Sequence, residues 1–170
     1  LGVLPQLIRQ VFHRYVPSRI GSVHGSEREI MLEIARLYEL MGRMYFYSNE
    51  TLPIIYTILN FLNAAEKAGT SPELANAYSG TAVMSGFAQL HPLAETYVDR
   101  AIAVAKEVNQ PSNLITVNVV TSVYQISVGK WDEVRQKAGE AKAICEELER
   151  RRPPAKFTIA ATPGGFKLAS

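Results

Sequence analysis

The sequence predicts an all-α fold, a right-handed superhelix (solenoid) of antiparallel helix pairs with about three repeats of period 40. Three observations lead to this expectation. Segments 51–68, 91–108 and 131–148 align with one another at an offset of forty residues. In each segment, apolar or small side chains recur at spacings of four and three residues, which places them on one helix face. Residues that start helices stand at matching places along the chain.

The aligned segments share one set of equivalent positions. Its members are Ile54, Ala94 and Val134, then Ile58, Val98 and Ala138, then Phe61, Ala101 and Ala141. The stretches before these segments also align, and Gly42, Ala82 and Ser122 share a position where a small side chain lets a neighbouring helix approach closely. We therefore expect helices at residues 3–16, 27–47, 51–68, 72–86, 91–108, 112–127 and 131–150, with no sheet between residues 27 and 148.

Capping residues and turn residues set these boundaries. A polar cap followed by an early proline or acidic residue is typical of a helix start. Such starts are Ser26 with Glu29 as a capping box, Ser71 before Pro72, and His91 before Pro92. Segment 114–127 is rich in β-branched residues, which favours a strand on propensity. The repeat register outweighs that preference and predicts a helix there.

The pair Gly129-Lys130 before Trp131 suggests a phosphate-binding loop, but the pattern fails. Such a loop needs a glycine five residues before its Gly-Lys pair and a hydroxyl residue after it. Tyr124 stands in the first place and Trp131 in the second. We interpret Gly129 as a turn within a repeat and Trp131 as the start of the next helix.

Residues 33–148 resemble the tetratricopeptide repeat. The first copy carries Tyr38, Met41, Gly42 and Tyr45, followed by Ile54, Ile58 and Phe61. The second copy carries Tyr78, Ala82, Ala94, Val98 and Ala101. The third copy has Ser122, Gly129, Val134, Ala138 and Ala141, but Asn118 and Gln125 replace its aromatic residues. The resemblance implies a non-catalytic scaffold for protein–protein or interdomain interaction.

A narrower resemblance concerns "RQVFHRYVPSRIG" and "YFYSNETLPIIYTILNFLNAAEKAGTSPELANAY". These stretches are similar to the carboxy-terminal helical repeats of large signalling ATPases linked to class III adenylate cyclases, or of maltose-activator type. The resemblance implies a fragment of a larger cytoplasmic signalling protein. It leaves an alternative open, a regulatory segment of a nucleotide-handling enzyme whose catalytic domain lies outside this chain.

Charge divides the chain into three expected parts. Residues 1–26, a helix and linker that end a preceding repeat, carry +3, and residues 150–170 carry +5. The repeat domain, residues 27–150, is acidic, which argues against nucleic acid as a partner and favours docking within or between domains. The basic tail, residues 151–170, is either a cap over the last helix or an idle end. No apolar run is long enough to span a bilayer.

The first helix of each repeat is expected to line a concave surface that receives a protein, a peptide or a neighbouring domain. Its predicted rows are Arg36, Asn76 and Thr116, then Arg43, Val83 and Val123, then Phe46, Gly86 and Ile126. We select Arg36, Arg43, Phe46, Tyr47 and Asn76 as candidate partner-binding residues, since arginine and tyrosine often anchor interfaces. An ordinary solvated face stays open as the alternative.

Neither catalytic residues nor a cofactor site are predicted. His13, His24 and His91 lack the spacing that a metal site requires, so we expect no metal. Cys145 is the single cysteine, which excludes an internal disulfide and fits a reducing compartment. We expect it to be a small residue of the core.

Overall fold

A computed structural model describes residues 20–151 of the chain, and this part is all-helical. No strand occurs within it, which confirms the predicted fold class at that level. The helices are α1 Gly25–Tyr47, α2 Thr51–Ala68, α3 Pro72–Phe87, α4 His91–Val108, α5 Pro111–Ser127 and α6 Trp131–Arg151. Between residues 20 and 151, no helix is both long and apolar enough to cross a membrane. The predicted helix 3–16 and most of the predicted tail, residues 152–170, lie outside the described residues.

The β-branched segment forms a helix, α5, as the repeat register predicts. Its hydroxyl side chains bond to the helix backbone: Thr121 Oγ1 donates to the Val117 carbonyl over 2.8 Å and Ser122 Oγ to the Asn118 carbonyl over 2.7 Å. Val117 and Thr121 are fully buried. Packing against neighbouring helices therefore outweighs the strand preference of these residues.

Each helix packs on its neighbours in sequence, and every second helix also packs on the next but one. Helix α1 contacts α2 and α3, α3 also contacts α2, α4 and α5, and α5 also contacts α4 and α6. Helices α1, α3 and α5 thus form one row. Between the helices lies one apolar core, to which α3 and α4 contribute five buried residues each. Its large members are Phe61, Leu62, Leu74, Tyr78, Tyr97, Val98, Val117 and Tyr124.

One of the three predicted helix caps is confirmed. Ser71 precedes α3, and its Oγ accepts a hydrogen bond from the Leu74 backbone N–H over 3.1 Å. The predicted capping box at Ser26 is wrong, because α1 already begins at Gly25 and Ser26 lies inside the helix. The cap at His91 is also wrong. Leu90 occupies the N-cap, and its carbonyl accepts the first helical bonds of α4.

The start of α1 is tied to the end of α2. Arg28 Nε donates to the Ala68 carbonyl over 3.0 Å, and its Nη2 donates to the Thr70 carbonyl over 3.1 Å. Gly69 adopts a positive φ of 80°, and Gly21 packs so closely on it that a side chain at Gly69 would strike the Gly21 backbone. Glycine is required there both for the backbone angle and for the contact.

Helix α6 departs from the predicted burial. Cys145 is exposed, so the expectation that it belongs to the core is wrong, and Ala138 is exposed too. Among the described helices, α6 packs mainly on α5, and no described helix follows it to cover its other side. Lys137 is the buried residue of α6, although the apolar pattern predicts Val134, Ala138 and Ala141 for that role.

Candidate partner-binding face

The row formed by α1, α3 and α5 is joined by side-chain hydrogen bonds. Asn76 Nδ2 on α3 donates to Glu39 Oε1 on α1 over 3.4 Å. Asn113 Nδ2 on α5 donates to Asn76 Oδ1 over 2.9 Å. Both bonds join residues 37 positions apart. Successive helices of the row are therefore stacked on one another with the same offset along the sequence.

Arg36 adds ion pairs to this row. Its Nε donates to Glu73 Oε1 on α3 over 2.8 Å, and its Nη1 donates to Glu33 Oε1 over 2.5 Å. The hydrogen bond and the charge of Glu73 raise the pKa of the Arg36 guanidinium. Arg36 and Asn76, both selected from the sequence for binding a partner, thus have polar groups that already connect α1 to the rest of the row.

The other three candidates lie at the C-terminal half of α1 and are exposed. Arg43 Nη2 donates to Glu39 Oε1 over 3.0 Å, which leaves most of its guanidinium in solvent. Phe46 and Tyr47 lie edge to face, with ring centroids 5.8 Å apart. Tyr47 is 85% exposed. Two uncovered aromatic rings beside an accessible arginine give this end of α1 the composition of an interface anchor.

Apolar side chains extend this surface across α3 and α5. Phe87 is exposed on α3 and Val83 is half-buried, while α5 exposes residues at spacings of four and three. We call the combined surface the row face. It consists of Leu40, Arg43, Phe46, Tyr47, Val83, Phe87, Val119, Val123 and Ile126. Exposed apolar side chains on neighbouring helices commonly mark an interaction site.

The predicted outward-facing positions of α3 include one error and one omission, at Gly86 and Phe87. Gly86 was predicted to face outward with Phe46 and Ile126, but it is buried, and the ring of Tyr124 occupies the space beside it. The next residue, Phe87, is exposed instead. Phe87 aligns with Tyr47 at the forty-residue offset, so the repeat register contained the signal that would have identified it.

A cleft lies between α4 and α6, above α5. It has a volume of 390 Å³, and Asp99, Lys137 and Glu140 are among the residues that line it. Lys137 Nζ donates to Thr121 Oγ1 over 2.9 Å. Burial lowers the pKa of this ammonium group, and the nearby carboxylates of Glu133, Glu140 and Asp99 oppose that effect. The sequence pattern did not predict this cleft.

Many of the charged groups at the cleft pair with one another. Lys130 Nζ lies 2.9 Å from Glu95 Oε1 and 3.6 Å from Glu133 Oε1, and the bond to Glu95 raises the pKa of Lys130. Gln125 Nε2 donates to Glu133 Oε2 over 2.5 Å. Within the described residues, Asn118 Nδ2 and Gln125 Oε1 are buried without a hydrogen-bond partner. The cleft is thus a polar junction between helices, and the row face is the better candidate for a partner.

The described residues contain no cluster suited to a metal. Between residues 20 and 151, no three His, Cys, Asp or Glu side chains are grouped so that they could hold an ion. His91 stacks on Tyr124 with ring centroids 6.1 Å apart, which is a packing role. His13 lies outside the described residues.

No family model, no curated protein and no solved structure matches this chain. The likeness to tetratricopeptide repeats therefore rests on the sequence pattern.

Proposed function

We propose that residues 27–150 are a right-handed solenoid of antiparallel, tetratricopeptide-like helix pairs. Two observations support this architecture. Helices α2, α4 and α6 begin at residues 51, 91 and 131, which are forty residues apart. The contacts Arg36–Glu73, Glu39–Asn76 and Asn76–Asn113 each join residues 37 apart, as expected when one unit stacks repeatedly on the next.

This domain acts as a non-catalytic scaffold that binds a polypeptide on the row face. The observation that carries the proposal is the exposure of aromatic and aliphatic side chains on three neighbouring helices of one row, from Tyr47 on α1 through Phe87 on α3 to Val123 on α5. Tyrosine and arginine supply much of the binding energy in protein interfaces, and Arg43 stands beside Tyr47 at one end. The two other candidates, Arg36 and Asn76, set the spacing of the helices that present this surface.

The chemistry of the row face defines the partner class. Val83, Phe87 and Val123 offer apolar surface to the aliphatic or aromatic side chains of a peptide or of an amphipathic helix. Arg43 offers a guanidinium for a carboxylate of the partner. Such a segment can belong to another protein or to a neighbouring domain of the same polypeptide.

A library of short random peptides, displayed on phage and selected against the whole chain, tests the proposal. Selected peptides should carry apolar residues together with an acidic one. Synthetic versions should lose at least tenfold in affinity toward the variants Phe87→Ala and Val123→Asp, because removing a central interface anchor costs more than about 1 kcal/mol. The control is Leu52→Ala, which removes an apolar side chain from α2, outside the row; Leu52 is 71% exposed, more than Phe87 or Val123. Peptides that bind all variants alike would show that the row face is not the binding surface.

A further inference from the structure

Helix α1 exposes a second apolar surface, which adjoins the row face at Leu40. Ile30, Leu37, Met41 and Met44 follow one another at spacings of seven, four and three residues, so they share one side of the helix. Leu37 is 60% exposed and Met44 61% exposed. Arg43 of the row face lies about a third of a turn away from Leu37 around the helix axis. We call these four residues the leading face of α1.

The same side is buried in the two later helices of the row. Forty residues after Leu37 and Met41, α3 has Ala77 and Thr81, which are 1% and 8% exposed. Forty residues later again, α5 has Val117 and Thr121, which are both fully buried. The positions equivalent to Leu37 and Met41 are thus buried in α3 and in α5, whereas Leu37 and Met41 themselves are exposed in α1.

The cause of this difference is the preceding helix. Helix α3 packs on α2 before it, and α5 packs on α4 before it. Within the described residues nothing precedes α1 except residues 20–24. The leading face consists of side chains that normally occupy a core, and it stands where the repeat architecture places a contact with an earlier helix.

Segment 3–16 has the pattern that fits this place. Most of its apolar residues recur at helical spacings and share one face, while Arg9 and Arg14 lie outside that face. The residues that share it are Leu4, Leu7, Ile8, Val11, Phe12 and Tyr15, and Val3 and Val16 lie at its two edges. Its basic charge is opposite in sign to Glu29 and Glu33, two exposed carboxylates beside the leading face that also pair with Arg28 and Arg36.

The path of the chain is compatible with such packing. The Gly21 backbone N–H donates to the Glu66 carbonyl over 2.8 Å, so the residues before α1 are anchored beside the end of α2. Residues 17–20 separate segment 3–16 from the anchored Gly21, and four residues can extend over roughly 13 Å. The connection between α2 and α3 is shorter still, with three residues. The linker therefore suffices for an antiparallel neighbour to turn back along α1.

We propose that segment 3–16 is a helix that packs on the leading face of α1 and stands to α1 as α2 stands to α3. The segment then completes the N-terminal end of the helix row, with Leu7, Ile8 and Val11 against Leu37 and Met41. The leading face is consequently a packing surface within the chain, while the row face stays available for a partner.

Thiol labelling of the whole chain tests the proposal. In a Cys145→Ser background, a single cysteine is introduced by Leu37→Cys, or by Leu52→Cys as the exposed control on α2. Cover by segment 3–16 predicts that the L37C thiol reacts with a water-soluble thiol reagent roughly tenfold or more slowly than the L52C thiol, since reactivity follows access. Equal rates would overturn the proposal. Met44→Cys is the second reporter if L37C does not fold, as judged by circular dichroism.

Changes in the segment itself identify what covers the face. The pair Leu7→Glu and Ile8→Glu should restore fast labelling of L37C, because it places charge in the contact. The pair Gln6→Glu and Gln10→Glu adds the same charge on the opposite side of the predicted helix and should leave the protection intact. Protection that survives Leu7→Glu and Ile8→Glu, or that disappears on dilution as expected for a second copy of the chain, would contradict the proposal.

Discussion

The ring of Tyr124 on α5 packs against Gly86 on α3 so closely that a Cβ at position 86 would overlap the ring. Tyr124 is itself 1% exposed and stacks on His91, so it has little room to move. Among the described glycines, Gly86 is therefore the one with the least room for a side chain, and it lies where α3 meets α5. A helical glycine is costly on its own, and this contact explains why it is present.

Replacing Gly86 by alanine should destabilise the protein. Alanine favours the helix by up to about 1 kcal/mol over glycine. Overlap with a buried aromatic ring opposes that gain at a cost of roughly 1–3 kcal/mol or more, so the steric effect should win. Chemical denaturation in urea measures the net change in the free energy of unfolding.

Gly80 provides the matched control for Gly86. It lies on the same helix, and nothing stands within 4 Å of a Cβ built on it. Gly80→Ala should therefore stabilise the protein by up to about 1 kcal/mol, through helix propensity alone. If both variants shift the urea midpoint in the same direction, the close approach of Tyr124 to Gly86 does not limit the packing.

The capping residues give a second test. Ser71→Ala removes the acceptor for the Leu74 N–H and should cost about 1 kcal/mol of stability. Ser26→Ala makes the same chemical change at a serine that the sequence also marks as a cap, but Ser26 lies inside α1 with its side chain exposed. The melting temperature of the Ser26→Ala variant should stay close to that of the parent. Equal losses in the two variants would mean that Ser26 does cap α1.

Much of the fold follows from the sequence because its signals are local and repeated. The forty-residue register places five of the six helix starts within one residue of the observed positions and predicts helix for the β-branched α5. The first helix begins two residues earlier than predicted, at Gly25. The register works because it records which positions are equivalent, and therefore packed alike, on successive helices; such packing outweighs propensity.

The burial of individual side chains is harder to predict. Gly86 and Phe87 are adjacent, and only the position of Tyr124 determines which of them is buried. Lys137 is buried while Cys145 is exposed, because α6 meets α5 through a polar junction and has no described helix on its other side. The partners of Arg36 and Asn76 lie 37 residues away, a separation that alignment at an offset of forty does not reveal.

A substitution at Ala82 tests whether the position that the repeats reserve for a small residue is tightly packed. Ala82 is fully buried in the middle of α3, in register with Gly42, whose missing Cβ would stand 3.4 Å from Thr57 Oγ1. Ala82→Leu should overpack this site and cost roughly 1–3 kcal/mol. Ala103→Leu is the control, since Ala103 is exposed on α4 and should tolerate the larger side chain. Thermal melting compares the two, and an unchanged melting temperature for A82L would show that the site has room.

Lys137 leads to a prediction about pH. Burial holds the pKa of its ammonium group below the ordinary value of 10.5, so the folded chain binds this proton more weakly than the unfolded chain. In the window between the lowered pKa and 10.5, stability contributed by this group therefore rises with pH. At neutral pH the buried charge is a cost. Lys137→Met should raise the melting temperature at pH 7, and this advantage should shrink as the pH approaches 10.

Lys130 supplies a control of opposite sign. Its bond to Glu95 raises its pKa, so its contribution to stability is fully present below 10.5 and is lost only as the pH rises through the raised value. Lys130→Met should lower the melting temperature at pH 7. Burial raises the pKa of Tyr78 and Tyr124 above the ordinary tyrosine value of 10.0, so both stay largely protonated below that pH in the folded chain. Melting curves between pH 7 and pH 10 should therefore show the two variants shifted from the parent in opposite directions at neutral pH. A K137M chain that melts below the parent at pH 7 would show that the bond from Lys137 to Thr121 outweighs the cost of burying the charge.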